Sequence, residues 1–136
     1  MRGGDRGLAA AGVESARPVI LVVDDESLIR WTLRERLTAA GYAVLEAETG
    51  PEALDVVSRE PVSLVLLDLS LPGLNGLGVL EHVKKDHPSC PVILMTAFDS
   101  PGSAERALAL GAAHFMTKPF DFDRIVRLVG EELSAK

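Results

Sequence analysis

The chain has 136 residues, 47% hydrophobic and 25% charged, the size and make-up of a single globular domain of about 100–150 residues and too apolar for a disordered chain. Fourteen Lys and Arg against 20 Asp and Glu leave a net charge of −6, a surface that repels phosphate backbones and disfavours direct nucleic-acid binding. One cysteine, Cys90, excludes an internal disulfide framework and a thiolate metal site and suits a reducing cytoplasm, and no apolar run approaches the roughly 18–20 residues that cross a bilayer.

Residues 1–17 carry arginines and an Ala-rich patch, but Asp5 and Glu14 interrupt them and no continuous apolar stretch marks a signal peptide. They read as a flexible tail before one domain over 18–136. Pro18 to Val23 is an unbroken apolar run rich in β-branched residues, the mark of a strand covered on both faces. Leu28, Ile29, Trp31 to Leu33 and Leu37 then recur at helical spacing, and Gly41 stops that helix. Tyr42 to Ala47 predicts a second strand. Thr49-Gly50-Pro51-Glu52 opens a second helix, with proline in the first turn where no donor is lost, and it closes near Arg59.

Val62 to Leu67 predicts a third strand ending at Asp68, and Pro72-Gly73 with Asn75-Gly76 a turn-rich loop before a helix to about Lys85. Pro91 to Met95 reads as strand, Ser103 to Leu110 as helix, and Ala113 to Met116 as a short fifth strand. Asp121 is the expected cap of a last helix whose apolar side holds Ile125, Val126, Leu128, Val129 and Leu133. Strands alternating with helices predict an α/β fold, a doubly wound five-stranded parallel sheet with helices on both faces; the strand order expected for it is the flavodoxin-like 2-1-3-4-5. Its loops gather at the carboxyl edge of the sheet, where open α/β sheets do their ligand chemistry.

What stands at that edge is consistent in kind. Asp24 and Asp25 follow the first strand, Asp68 the third, Thr96 the fourth, and Lys118-Pro119 the fifth. Crowded carboxylates stay ionised beside a divalent cation or an ammonium, and an all-oxygen ligand set favours Mg2+, with Mn2+ as substitute. The set suits phosphoryl transfer, which asks for in-line positioning and charge neutralisation. Asp68 is the expected nucleophile, Asp24 and Asp25 the metal acids, and Thr96 and Lys118 the groups that receive phosphoryl oxygens.

From Val19 to about Leu133 the chain resembles a receiver domain of bacterial two-component response regulators. The matching segments are Val22-Val23-Asp24-Asp25-Glu26, Asp68 with Leu71-Pro72-Gly73, Thr96-Ala97 and Lys118-Pro119-Phe120. The resemblance implies phosphorylation of Asp68 by a partner sensor histidine kinase, with Mg2+ held through Asp25, Asp68 and the backbone carbonyl of Ser70 and Asp24 orienting a metal-bound water. It also implies a cis bond before Pro119, and a switch in which Phe115 swings inward as the Thr96 hydroxyl meets the phosphoryl group. A phosphoryl group adds about −1.5 to −2 charges, enough to bias such an element. The altered surface, built by the last two helices and the fifth strand, would act on an output domain or partner and serve as a homodimer face. The Leu71-Pro72-Gly73 and Thr-Ala-Phe segments are similar to those of the enhancer-binding, nitrogen-regulatory activators.

Two positions depart from common family patterns. Asn75 replaces an aspartate but makes the same turn with Gly76, and Ser70 occupies a variable position facing the phosphoryl group. Taken singly, the acidic pair could be a helix cap, Thr96 a strand-end hydroxyl, Lys118 a solvated charge and Phe115 core; it is their joint placement that points to chemistry. The competing readings are a haloacid-dehalogenase-like phosphatase, which wants an aspartate where Ser70 stands, and a pseudo-receiver that binds without being phosphorylated. The expectation is a signalling module, not an enzyme. His82, His87 and His114 are scattered and form no ligand group, and Arg124 and Arg127 read as a solvated face or part of a dimer contact.

Overall fold

The computed structural model of the protein describes residues 17–70, 76–96, 102–117 and 119–134. Among them the elements run β1 (Val19–Val23), α1 (Ser27–Ala39), β2 (Ala43–Ala47), α2 (Gly50–Arg59), β3 (Leu64–Asp68), α3 (Gly76–Asp86), β4 (Val92–Thr96), α4 (Ser103–Ala109), β5 (His114–Thr117) and α5 (Phe122–Ser134). The expected tail falls almost wholly outside the described residues, as do Leu71-Pro72-Gly73, Asn75, Ala97 and Lys118.

All strand pairs are parallel and the order is β2-β1-β3-β4-β5, the expected one. The period of two along each strand divides the core into two layers. Leu21, Val23, Val65, Leu67, Val92 and Leu94 join residues of α2, α3 and α4 such as Ala53, Val57, Val79, Leu80 and Ala107. Ile20, Val22, Leu64, Leu66, Ile93 and Met95 join Leu33 and Leu37 of α1 and Ile125, Leu128 and Val129 of α5. Each fully buried Leu or Ile contributes about 1.5–3 kcal/mol relative to exposure. Two-sided cover is therefore what makes these strands read as unbroken apolar runs.

The strand bounds differ from expectation at specific places. β3 begins at Leu64 rather than Val62, because Val62 donates back to the Glu60 carbonyl at 2.9 Å in a tight turn after Pro61. β4 runs one residue further than expected and includes Thr96, which pairs with Thr117. The helix caps follow the sequence signals. The Thr49 hydroxyl accepts from the Glu52 amide at 3.2 Å, and one Asp121 carboxylate oxygen accepts from the Asp123 and Arg124 amides at 3.0 and 3.2 Å. Cys90 is buried, and no described helix is long and apolar enough to cross a membrane.

Candidate functional site

The strands deliver their polar residues at one edge of an otherwise apolar sheet. β1 leaves the core after Val23, so Asp24 emerges fully buried and Asp25 exposed. β3 is buried throughout and ends on Asp68, which is 3% exposed and in register with Met95; Thr96, fully buried, ends β4 beside it. Carboxylate oxygens of Asp24, Asp25 and Asp68 all lie within 4.8 Å of one another, and this is the group among the described residues that could hold a metal ion. Sequence reasoning placed these three acids and Thr96 at one edge, and the structure brings them there. Lys118 and its bond to Pro119 lie outside the described residues, while Pro119 itself is exposed.

Backbone hydrogen bonds hold the acids in place. The Asp24 amide donates to the Ala47 carbonyl of β2 at 3.1 Å, and its Oδ1 accepts from the Glu26 amide at 2.8 Å. Asp68 makes the same short turn: its Oδ1 accepts from the Ser70 amide at 3.0 Å, and the Leu69 amide donates to the Met95 carbonyl at 2.8 Å. The residue at the N-cap of α1 is Glu26, which makes no side-chain capping bond, while its amide is the donor to Asp24.

Two like charges about 4 Å apart repel by about 4 kcal/mol at an effective dielectric near 20. Three carboxylates at the observed spacing therefore favour a compact positive charge. An oxygen-only donor set of this size fits a hard divalent cation such as Mg2+. Phe115 is half-buried and packs against the layer of α2, α3 and α4, the core role its residue type suggests.

Two contributors escaped the sequence reading. Arg30 of α1 donates from Nη1 to the Asp24 carbonyl at 2.8 Å and from Nε to Glu46 Oε1 at 3.0 Å; Arg34 also pairs with Glu46. Burial alone would raise the Glu46 carboxyl, but the hydrogen bonds from Arg34 and Arg30 outweigh it and hold the group below the usual value. The only advance signal was a pair of arginines four apart on the first helix. Gly76 is the other. Its amide donates to the Leu69 carbonyl at 3.0 Å, and a Cβ there would lie 2.8 Å from the Asp68 carbonyl oxygen.

With this geometry in place, the comparison with known proteins is direct. Residues 20–130 match the family model of the response regulator receiver domain. The chain belongs to that family. It is 40% identical over 118 residues to the DNA-binding transcriptional regulator NtrC of Klebsiella pneumoniae, which covers 87% of this chain but 25% of NtrC. The chain thus spans about a quarter of that relative. Sporulation initiation phosphotransferase F of Bacillus subtilis is 38% identical over 117 residues, covering 86% of this chain and 94% of that protein. The CheY-like receiver domain protein of Methanospirillum hungatei matches with a TM-score of 0.85 at 29% identity, covering 88% of this receiver and 96% of that chain.

Proposed function

We propose that this receiver domain is a phosphoacceptor switch in phosphorelay signalling, in which Asp68 takes one phosphoryl group from a histidine of a partner sensor kinase. The P–N bond to the kinase imidazole breaks, a bond from an Asp68 carboxylate oxygen to phosphorus forms, and the released imidazole takes a proton from solvent. The observation that carries this reading is the placing of Asp24, Asp25 and Asp68 with carboxylate oxygens inside 4.8 Å at the end of a sheet otherwise apolar.

Mg2+, or Mn2+ in its place, supplies charge neutralisation at the acceptor when bound. Asp24, Asp25, Asp68 and the Ser70 carbonyl are the groups to hold it. Thr96, with its buried position at the end of β4, and Lys118 would take phosphoryl oxygens. Movement of Thr96 would then be followed by Phe115 and by the surface of α4, β5 and α5. That surface is the proposed route to an output domain or partner and the proposed homodimer face. The protein works in the cytoplasm as a signalling module and not as a turnover enzyme, and the likeness to NtrC supports a role upstream of transcription.

Acetyl phosphate or phosphoramidate with Mg2+ should add one phosphoryl group, read by intact mass, to the wild-type chain and none to Asp68→Asn. Equal labelling of the variant removes Asp68 from the role, and turnover of an aryl phosphate well beyond one equivalent favours a phosphatase.

A further inference from the structure

We infer that Arg30 is a positioning residue for the metal acids, acting through the backbone of Asp24; this rests on the metal reading of the acidic site given above. The Arg30 side chain is 12% exposed, and its guanidinium joins three parts of the chain. Nη1 reaches the carbonyl that precedes Asp25, Nε reaches Glu46 on β2, and Nη2 stands 3.8 Å from Glu48. Together with the bond from the Asp24 amide to Ala47, both main-chain polar groups of Asp24 are thereby tied. Asp24 sits between β1 and the exposed Asp25, so the plane of the peptide joining Asp24 to Asp25 is set by Arg30. That plane governs where the Asp25 carboxylate lies relative to Asp68.

The Arg30 charge is itself unfavourable to a bound cation. Glu46 and Glu48 answer it locally, which leaves geometry as the contribution to the acidic site. Charge and geometry therefore predict opposite signs. If Arg30 acted only as a charge, its removal would tighten cation binding. As the clamp on the Asp24 carbonyl, its removal loosens binding, by about tenfold on the scale of groups that orient metal ligands. Lysine keeps the charge but lacks the planar fork that serves two acceptors at once.

The test is Mn2+ binding to the full chain, measured from the spectrum of the free ion by electron paramagnetic resonance, with thermal unfolding in EDTA alongside. Arg30→Met and Arg30→Lys are each expected to weaken Mn2+ binding several-fold to tenfold. Arg34→Met, which removes an equal charge from the same Glu46 without touching Asp24, should not weaken it. Unchanged or tighter binding in both Arg30 variants overturns the assignment. So does weakening by Arg34→Met to the same degree, or weakening that only follows loss of the EDTA melting transition in both Arg30 variants. Absence of Mn2+ binding by the wild-type chain would instead overturn the metal reading itself.

Discussion

The Gly76 amide donates to the Leu69 carbonyl at 3.0 Å, and a Cβ on Gly76 would stand 2.5 Å from the Leu69 Cα. The neighbours are main-chain atoms, which cannot swing aside as a side chain does. Gly76→Ala should therefore cost about 1–3 kcal/mol, the usual penalty of overpacking, and disturb the strand end that carries Asp68. Urea unfolding measures it; a midpoint equal to wild type would show that the chain relaxes there freely.

The acid cluster should make stability depend on divalent cation. Adding Mg2+ is expected to raise the melting temperature of the wild-type chain, following the ratio of ion concentration to dissociation constant. Asp25→Asn should melt higher than wild type in EDTA, by about 0.5–1 kcal/mol of relieved repulsion, and should gain little from Mg2+. Differential scanning calorimetry with and without the ion decides. A wild-type response retained in full by Asp25→Asn would remove that residue from the binding set.

Glu46 has its folded pKa held below 4.5, the ordinary value, by Arg34 and Arg30 against the opposing effect of burial. A depressed carboxylate pKa means stability that is present at neutral pH and is lost as pH falls through the folded value. Glu46→Gln should be less stable than wild type at pH 7, and the difference should close below about pH 4.5, the unperturbed value. Chemical denaturation of both proteins between neutral and acidic pH reads this directly, and a gap that stays constant with pH would contradict it.

Thr96, fully buried at the end of β4, is expected to separate labelling from switching. Thr96→Ala should still accept one phosphoryl group from phosphoramidate. Size-exclusion chromatography with beryllofluoride and Mg2+ is expected to show a dimer for wild type and a monomer for this variant. A full dimer response from Thr96→Ala would place the switch elsewhere.

How much of this was legible in the chain depends on the range of the interaction. The strands were readable because Ile20 to Val23 and Leu64 to Leu67 are covered on both faces and so show no polar alternation. Asp68 stood out because a carboxylate ending a wholly apolar strand needs a reason. Arg30 did not, because its partners are Asp24, just after β1, and Glu46 on β2, and the parallel register of those strands, Val23 opposite Ala47, exists only in the folded sheet. Gly76 was read as half of an Asn-Gly turn. Its real constraint is the approach of main chain to main chain, which no spacing rule encodes. The start of β3 slipped by two residues because Pro61 diverts Val62 into a turn despite its β-branched side chain.

The open sheet has two borders, and each carries a polar side chain engaged by a helix. Glu46 on β2 is held by Arg30 and Arg34 of α1, and His114 on β5 meets Glu132 of α5 at 3.0 Å. A charged group on a border strand, as Glu46 is here, is a common guard against unwanted strand addition. Self-association by continuing the sheet from one molecule into the next is thus discouraged at the β2 border, and the proposed pairing of two copies through α4, β5 and α5 would use side-chain contacts that can be made and released without a strand leaving its place.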